Sequence, residues 1–238
     1  MASTTVRPTS TITAMGTDAD AFRLMTWTSP AYPVGGFSYS HGIEMAVEEG
    51  RITRRDDLVA YITSVLRLGA GRVDAVLLAH AHAAPDDAAL DEITELAAAW
   101  RGTAETALEA TQQGGSFASV TNSAWPDARF AAFAARHRGG LPHAVAFGAA
   151  AGMAGIPSRA ALFAFLQGFC ANLVSAGVRL VPLGQTDGQL ATAALLPVIS
   201  ACTDDALSTS LDDFGTATPL LDMLSMRHET QYTRLFRS

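Results

Sequence analysis

Apolar residues recur at intervals of three and four along much of this chain of 238 residues. One stripe contains Leu58, Ile62, Val65 and Leu66, and a second runs from Leu90 to Trp100. This spacing places apolar side chains on one face of an α-helix, and the alternation typical of a β-strand is nowhere sustained. We therefore expect an all-α fold, a single compact bundle of about ten helices.

Glycines and prolines predict where several of these helices begin and end. Thr218-Pro219 places a capping residue before a proline at the first helical position, which indicates a helix start. Gly114-Gly115 is expected to end the helix that follows Trp100. Pro197 lies inside an otherwise helical run from Gln185 to Cys202 and is expected to kink or end that run.

The composition favours one domain with a large core. Hydrophobic residues make up 49% of the chain and charged residues 16%, and no linker divides the sequence convincingly. Because this is more apolar material than a monomer needs, we expect an oligomer. Residues 1–17 lack a continuous apolar run, so we expect a disordered lead there, followed by a helical domain at residues 18–227.

The charged residues exclude several function classes. The 16 Lys-plus-Arg residues are all arginine, and the formal net charge is −7. Without lysine the chain can form neither a Schiff base nor a P-loop. Since no basic stripe offsets the acidic balance, we expect no binding to nucleic acid.

An uncharged run at residues 160–178 is long enough to raise the question of a membrane span. Gln167 and Asn172 within it favour a buried core or dimer helix over a span. We therefore expect no membrane contact.

The two cysteines, Cys170 and Cys202, are far apart in the sequence, which suits free, buried thiols in a reducing compartment.

The segment Ser29–Glu44, here called the motif loop, contains two prolines, three glycines and three aromatic residues. The prolines fix φ, while Gly35 and Gly36 permit positive φ or a close backbone approach, so a rigid turn is expected. Ser38 or Ser40 can cap the helix that follows. The segment contains no obvious catalytic group and is interpreted as a shape for recognition.

The motif loop resembles a sequence of the urease accessory protein F family, of the type Ser-Pro-x-x-Pro-Val-Gly-x-Phe-Ser-Tyr-Ser-x-Gly-x-Glu. Two later segments, at residues 178–189 and 228–238, agree with the same family in the same order. The resemblance extends from about Phe22 to the last residue, with modest departures at Ala31 and Gly36.

This resemblance implies an all-helical, cytoplasmic homodimer without catalytic residues, metal ligands or a stably bound cofactor. Members of that family bind accessory protein D, recruit the GTPase accessory protein G and dock on apo-urease, so that nickel passes through the larger complex into urease with GTP hydrolysis. The partner-binding residues implied by the resemblance are Gly35, Phe37, Ser38, Tyr39, Ser40, Glu44, Arg179, Gly184, Gln185, Tyr232, Arg234, Leu235 and Phe236.

The residues themselves leave the state of the segment 228–238, here called the tail, undecided. From Arg227 onward it carries a local charge of +2 with interleaved aromatic and apolar residues, the composition of an interface segment. Such a segment either packs back on the helices or orders on a partner, and fraying at the surface is equally consistent with the sequence. Packing of residues 178–189 against the motif loop is a hypothesis that would create one composite surface.

Two other function classes are compatible with the sequence. Glu44 or His41 could act as acid or base on a small molecule, which a defined pocket around a strongly perturbed carboxylate would favour. A membrane-associated protein is the second alternative.

His80 and His82 are two positions apart and are interpreted as surface histidines, because chelation from a helix needs a spacing of three or four. The acidic stretch at residues 86–95 is interpreted as helix-start charges and a solvated face.

Overall fold

The computed structural model describes residues 16–238, which form eleven α-helices and contain no β-strand. The all-α prediction is confirmed. A single turn of 3-10 helix, Gly36–Ser38, lies in the motif loop. The α-helices are α1 (Asp18–Trp27), α2 (Ile43–Glu48), α3 (Arg55–Leu68), α4 (Ala70–Ala83), α5 (Asp87–Ala99), α6 (Ala104–Ala124), α7 (Ala128–Arg136), α8 (His143–Met153), α9 (Ser158–Leu180), α10 (Gln185–Ser208) and α11 (Pro219–His228).

The helix α9 is the central element of the bundle. It packs against α1, α2, α3, α4, α8 and α10, and the 3-10 turn of the motif loop also lies against it. Both α9 and α10 are long and apolar enough to cross a membrane by length and composition alone, but half of the most apolar part of α9 is buried among the other helices. Most of the buried apolar residues of the bundle form one continuous cluster. This packing agrees with the interpretation of residues 160–178 as a core helix.

Two glycines on α8 allow an unusually close approach to α4. A Cβ added at Gly148 would lie 2.5 Å from the main-chain oxygen of Leu78, and one added at Gly152 would lie 2.4 Å from that of His82. Real side chains do not tolerate such distances, so the two backbones can touch only because these positions lack side chains.

The prediction that Gly114-Gly115 ends a helix is wrong. The helix α6 continues through both residues to Ala124. A Cβ at Gly114 would lie 2.0 Å from the main-chain oxygen of Leu141, so this glycine allows the segment before α8 to cross α6 closely. The cost of glycine inside a helix, about 1 kcal/mol, is small beside the tertiary packing gained.

Pro197 does not end its helix either. The helix α10 runs from Gln185 to Ser208 with Pro197 near its middle. Leu195 and Val198, on either side of the proline, are buried in the core. Because tertiary packing holds both flanking turns, the loss of one backbone donor is insufficient to stop the helix.

The interpretation of His80 and His82 as surface residues also needs correction. Both are half-buried at the end of α4, and each uses its Nε2 atom to join the helix to a loop. The Nε2 atom of His80 lies 2.9 Å from the oxygen of Thr209, and that of His82 lies 2.7 Å from the oxygen of Ile156. Both residues therefore have structural roles.

The predicted lead lies mostly outside the described residues, which begin at Gly16. Thr17, the last residue of the predicted lead, caps α1: its hydroxyl accepts a hydrogen bond from the Asp20 main-chain N–H at 3.2 Å.

The acidic stretch at residues 86–95 begins with a helix-start charge, as predicted, because the Asp86 carboxylate accepts from the Ala89 N–H and caps α5. Asp91 then pairs across to α7, where it contacts Arg136 at 3.0 Å.

Candidate partner-binding site

The motif loop is shaped by residues with positive φ. Gly35 has φ of 78° and Gly42 has φ of 76°, while His41 adopts φ of 54°, which is uncommon for a residue with a side chain. The helix α2 has Gly42 as its N-cap without a side-chain cap. Ser38 and Ser40 were the two predicted capping residues. The Ser40 hydroxyl accepts a long hydrogen bond, 3.4 Å, from the Glu44 main-chain N–H.

The tail packs back on the motif loop. The Arg237 main-chain N–H donates to the Ser38 oxygen at 2.7 Å, and the Ser40 N–H donates to the Ser238 oxygen at 2.7 Å. The Ser40 hydroxyl also donates to that Ser238 oxygen. Phe236 and Ser238 are buried in this arrangement. The tail therefore lies directly beside the loop and is joined to it by main-chain hydrogen bonds.

Glu44 holds the tail through both of its carboxylate oxygens. Its Oε1 atom accepts from the Leu235 main-chain N–H at 2.7 Å, and its Oε2 atom accepts from that of Phe236 at 2.9 Å. The Nε2 atom of His228 lies 3.0 Å from the same Oε2 atom. Because Glu44 is buried, the two main-chain N–H donors compensate for hydration that its carboxylate has lost.

A second carboxylate completes this buried cluster. His228 is fully buried, and its Nδ1 atom lies 2.9 Å from Oε1 of Glu105 on α6. The guanidinium of Arg234 donates to the same oxygen at 3.1 Å. Burial raises the pKa of Glu105, although His228 and Arg234 oppose the rise. The cluster joins α2, α6, α11 and the tail.

Glu109 forms a neighbouring contact one turn further along α6. The Ser238 hydroxyl donates to its Oε2 atom at 3.1 Å, and the Gln113 amide donates to its Oε1 atom at 2.9 Å. The Nδ1 atom of His41 lies 3.0 Å from Oε2 without the alignment of a hydrogen bond. Burial is the largest single influence and lowers the pKa of His41, but the interactions with Glu109 and the charge of Asp74 together outweigh burial, so the net shift is upward.

Arg179 is the residue that joins the three recognised segments. Its guanidinium lies 4.3 Å from the centroid of the Phe236 ring, and its Nη2 atom donates to the Phe37 main-chain oxygen at 2.7 Å. The hypothesis that residues 178–189 pack against the motif loop therefore holds for Arg179. Gly184 is the N-cap of α10 and Gln185 is its exposed first residue, and neither has a described hydrogen bond to the loop or tail.

The assembled segments expose several large side chains, which together are here called the tail face. Tyr232 is fully exposed, and Phe37 and Leu235 are each 62% exposed. Arg234 and Arg237 are also exposed. Leu108 and Ala104 on α6 continue this surface as the wall of a shallow groove beside the tail. The face combines aromatic, aliphatic and arginine side chains, the types that dominate binding energies at protein interfaces.

A narrow cavity of about 60 Å³ lies beneath the motif loop, between α6, α8 and α9. Glu109 and the aromatic ring of Phe147 line it, together with His143, whose burial lowers its pKa to about 4. The Nε2 atom of His143 is buried and has no hydrogen-bond partner among residues 16–238. The volume is sufficient for a few water molecules and is well below that of ordinary small-molecule sites.

Sequence reasoning missed His228, Glu105 and Glu109 as members of the site. Glu105 and Glu109 are the only charged residues of α6, and they are four positions apart on one face. Two carboxylates at that spacing repel each other unless groups that bind them lie nearby. This unbalanced pair was the sequence signal that could have indicated the site. Within residues 16–238, no group of three or more His, Cys, Asp or Glu side chains is arranged to hold a metal ion.

Known proteins resemble this chain over most of its length. Residues 52–196 match the model of the UreF protein family. The "Urease accessory protein UreF" of Granulibacter bethesdensis is 58% identical over 224 residues, which cover 93% of this chain and 95% of that protein. The protein of the same name from Rhodopseudomonas palustris, strain BisB5, is 49% identical over 223 residues and 92% of each chain. That from Azorhizobium caulinodans is 44% identical over 231 residues, which cover 96% of this chain and 100% of that protein.

Proposed function

Because this chain belongs to the UreF family of urease accessory proteins, we propose that it is a non-enzymatic assembly factor in urease maturation. In this proposal the protein acts in the cytoplasm as a homodimer. It binds accessory protein D, recruits the GTPase accessory protein G, and docks with both on apo-urease. Nickel then enters urease with GTP hydrolysis by protein G, and no cofactor remains on this chain.

The tail face is the observation that supports this proposal. Three segments that are distant in the sequence are joined by Arg179, which contacts both Phe37 and Phe236. The polar groups of these segments are directed inward, to Glu44 and Glu105, while Tyr232 and Leu235 point outward with large apolar surfaces. A monomer gains nothing from exposing these side chains, whereas a protein partner would bury them.

The enzyme alternative has less support. Both oxygens of Glu44 are occupied by donors from its own chain, so no substrate can reach this carboxylate while the tail is docked. His41 lies beside Glu109 in the interior. The adjacent cavity of about 60 Å³ is too small for an ordinary substrate. These features are typical of a structural network.

The first test is co-purification of the full chain with accessory proteins D and G. We expect the double substitution Tyr232→Ala and Leu235→Ala to reduce the affinity for protein D at least tenfold, because it removes two exposed apolar side chains without touching the buried cluster. Recruitment of protein G should fall together with the affinity for protein D, because in this proposal recruitment depends on bound protein D.

The matched control is the double substitution Leu190→Ala and Leu196→Ala on α10, where the two leucines are 48% and 56% exposed. It removes exposed apolar side chains outside the tail face and should leave binding unchanged. Equal binding of protein D by both double variants would exclude the tail face as its site. Failure of the unmodified chain to bind D at all would contradict the proposed function itself.

A further inference from the structure

The cavity beneath the motif loop borders a row of polar side chains on α6. Glu105, Glu109 and Gln113 follow one another at intervals of four, so they lie on one face of the helix. All three are buried. Glu105 contacts His228, and Glu109 lies beside His41. Because Glu109 and Gln113 also line the cavity, the row brings a carboxylate and an amide to its wall.

His143 adds polar atoms to the cavity from α8. Burial lowers its pKa to about 4, so the ring is neutral at ordinary pH and carries one hydrogen-bond donor and one acceptor. Its Nε2 atom is buried and has no hydrogen-bond partner among residues 16–238. The rings of Phe117, Phe147 and Phe165, with centroids between 5.4 and 6.3 Å away, surround it with apolar surface. A buried polar atom without a partner is costly, so the ring needs a ligand that can hydrogen-bond.

The polar groups of the cavity lie against both the loop and the tail. Asn172 on α9 lines the cavity, and its amide lies directly under the motif loop, since a Cβ added at Gly36 would lie 2.5 Å from its Nδ2 atom. Glu109 accepts a hydrogen bond from the Ser238 hydroxyl of the tail at 3.1 Å. A ligand that joins these groups therefore supports the loop and the tail from below.

The size and lining of the cavity decide which ligand fits. Its volume of about 60 Å³ is below that of an ordinary small-molecule site. Apolar cavities of this kind stay dry, whereas a cavity with two to four polar groups within reach retains water. Water both donates and accepts, so it can satisfy a neutral imidazole, an amide and a carboxylate together. Since each molecule occupies about 30 Å³ in the liquid, the cavity has room for about two water molecules.

We propose that this cavity is a water-binding site, in which ordered water bridges His143 on α8 to the polar groups of α6 and α9. Those groups are Gln113, Glu109 and Asn172. Bridging water is nearly as favourable as a direct hydrogen bond. The Gln113 amide donates to Glu109 at 2.9 Å, so water on Gln113 also helps to position the carboxylate that holds Ser238. The motif loop and the tail are thus supported by bound water where packed side chains would otherwise be needed.

The test is a high-resolution crystal structure of the full chain, determined once from an untreated crystal and once under xenon pressure. Xenon binds in dry apolar cavities. We expect ordered water within about 3.2 Å of a ring nitrogen of His143 and of the Gln113 side chain, and no xenon in the cavity. Xenon in the cavity, or no ordered water beside His143, would overturn the proposal. The experiment needs no partner protein, so its outcome is independent of the proposed function.

The substitution His143→Phe keeps an aromatic ring and removes both ring nitrogens. We expect this variant to lose the ordered water and to melt at a lower temperature than the unmodified chain, because Gln113 and Glu109 lose a hydrogen-bond partner. A dry cavity predicts a higher melting temperature, since the substitution then removes an unpartnered buried polar group. If the variant fails to fold, the crystals of the unmodified chain still decide the question.

The control is Phe165→Leu, which changes an apolar side chain in the wall of the same cavity and leaves its polar groups in place. This variant should keep the ordered water beside His143. Loss of the water in the control as well would show that packing alone determines the hydration of the cavity, and would contradict the role assigned to His143.

Discussion

At the scale of single residues, Arg179 contributes most to the candidate site. The resemblance of residues 178–189 to a known segment pointed to Arg179, Gly184 and Gln185 together, and only Arg179 reaches the loop and the tail. Arg179 lies near the end of α9, which packs beside the motif loop, whereas Gln185 begins α10 and faces solvent. Residues on either side of one turn are thus separated by the directions of the two helices that the turn joins, which the sequence of the turn does not reveal.

Substitution of Arg179 by lysine should weaken tail docking, although the charge is kept. A lysine ammonium cannot both stack on Phe236 and donate to the Phe37 oxygen with the geometry of a planar guanidinium. We expect the free energy of unfolding to fall by about 1 kcal/mol in urea denaturation. Arg54→Lys, at a side chain that is 74% exposed beside Asp57, is the control and should change it by less than about 0.5 kcal/mol. Equal effects would show that the stacking geometry is irrelevant.

At the scale of elements, periodicity predicted the presence of helices well and their limits less well. The stripes at Leu58–Leu66 and Leu90–Trp100 correspond to α3 and α5 because tertiary burial follows the same spacing that the sequence displays. Gly114 does not end its helix, and Pro197 does not end α10, because their local tendency to stop a helix is overcome by neighbours that are distant in the sequence. At Gly114 that neighbour is Leu141, which approaches too closely for any side chain.

The two glycines of α6 offer a matched comparison. Gly114→Ala would place a Cβ atom 2.0 Å from the Leu141 oxygen, whereas an added Cβ at Gly115 meets nothing within 4 Å. We expect Gly114→Ala to lower the free energy of unfolding by about 2 kcal/mol or more through overpacking. Gly115→Ala should raise it by up to about 1 kcal/mol through helix propensity. Thermal unfolding measures both, and stabilisation by Gly114→Ala would contradict the close crossing of α6 and the segment before α8.

At the scale of the whole molecule, the site is made of residues that no local pattern connects. Glu44 and Phe236 are 192 positions apart, and Glu105 and His228 are 123 apart. The resemblance to a known family indicated the loop and the tail, but it could not indicate that the two would pair through buried carboxylates on α2 and α6. Such pairing depends on the path of the whole chain. The resulting arrangement buries Glu44, Glu105 and His228 and leaves aromatic and arginine side chains exposed for a partner.

The most direct test of this account is site-specific photo-cross-linking to accessory protein D. A photoreactive phenylalanine analogue would replace Tyr232, Phe37 or, as a control on α10, Leu196, all of which are exposed in the isolated chain. Cross-links to protein D from positions 232 and 37, and none from position 196, are the predicted result. Cross-links from position 196 alone would place the partner on α10 and contradict the assignment of the tail face as the docking surface.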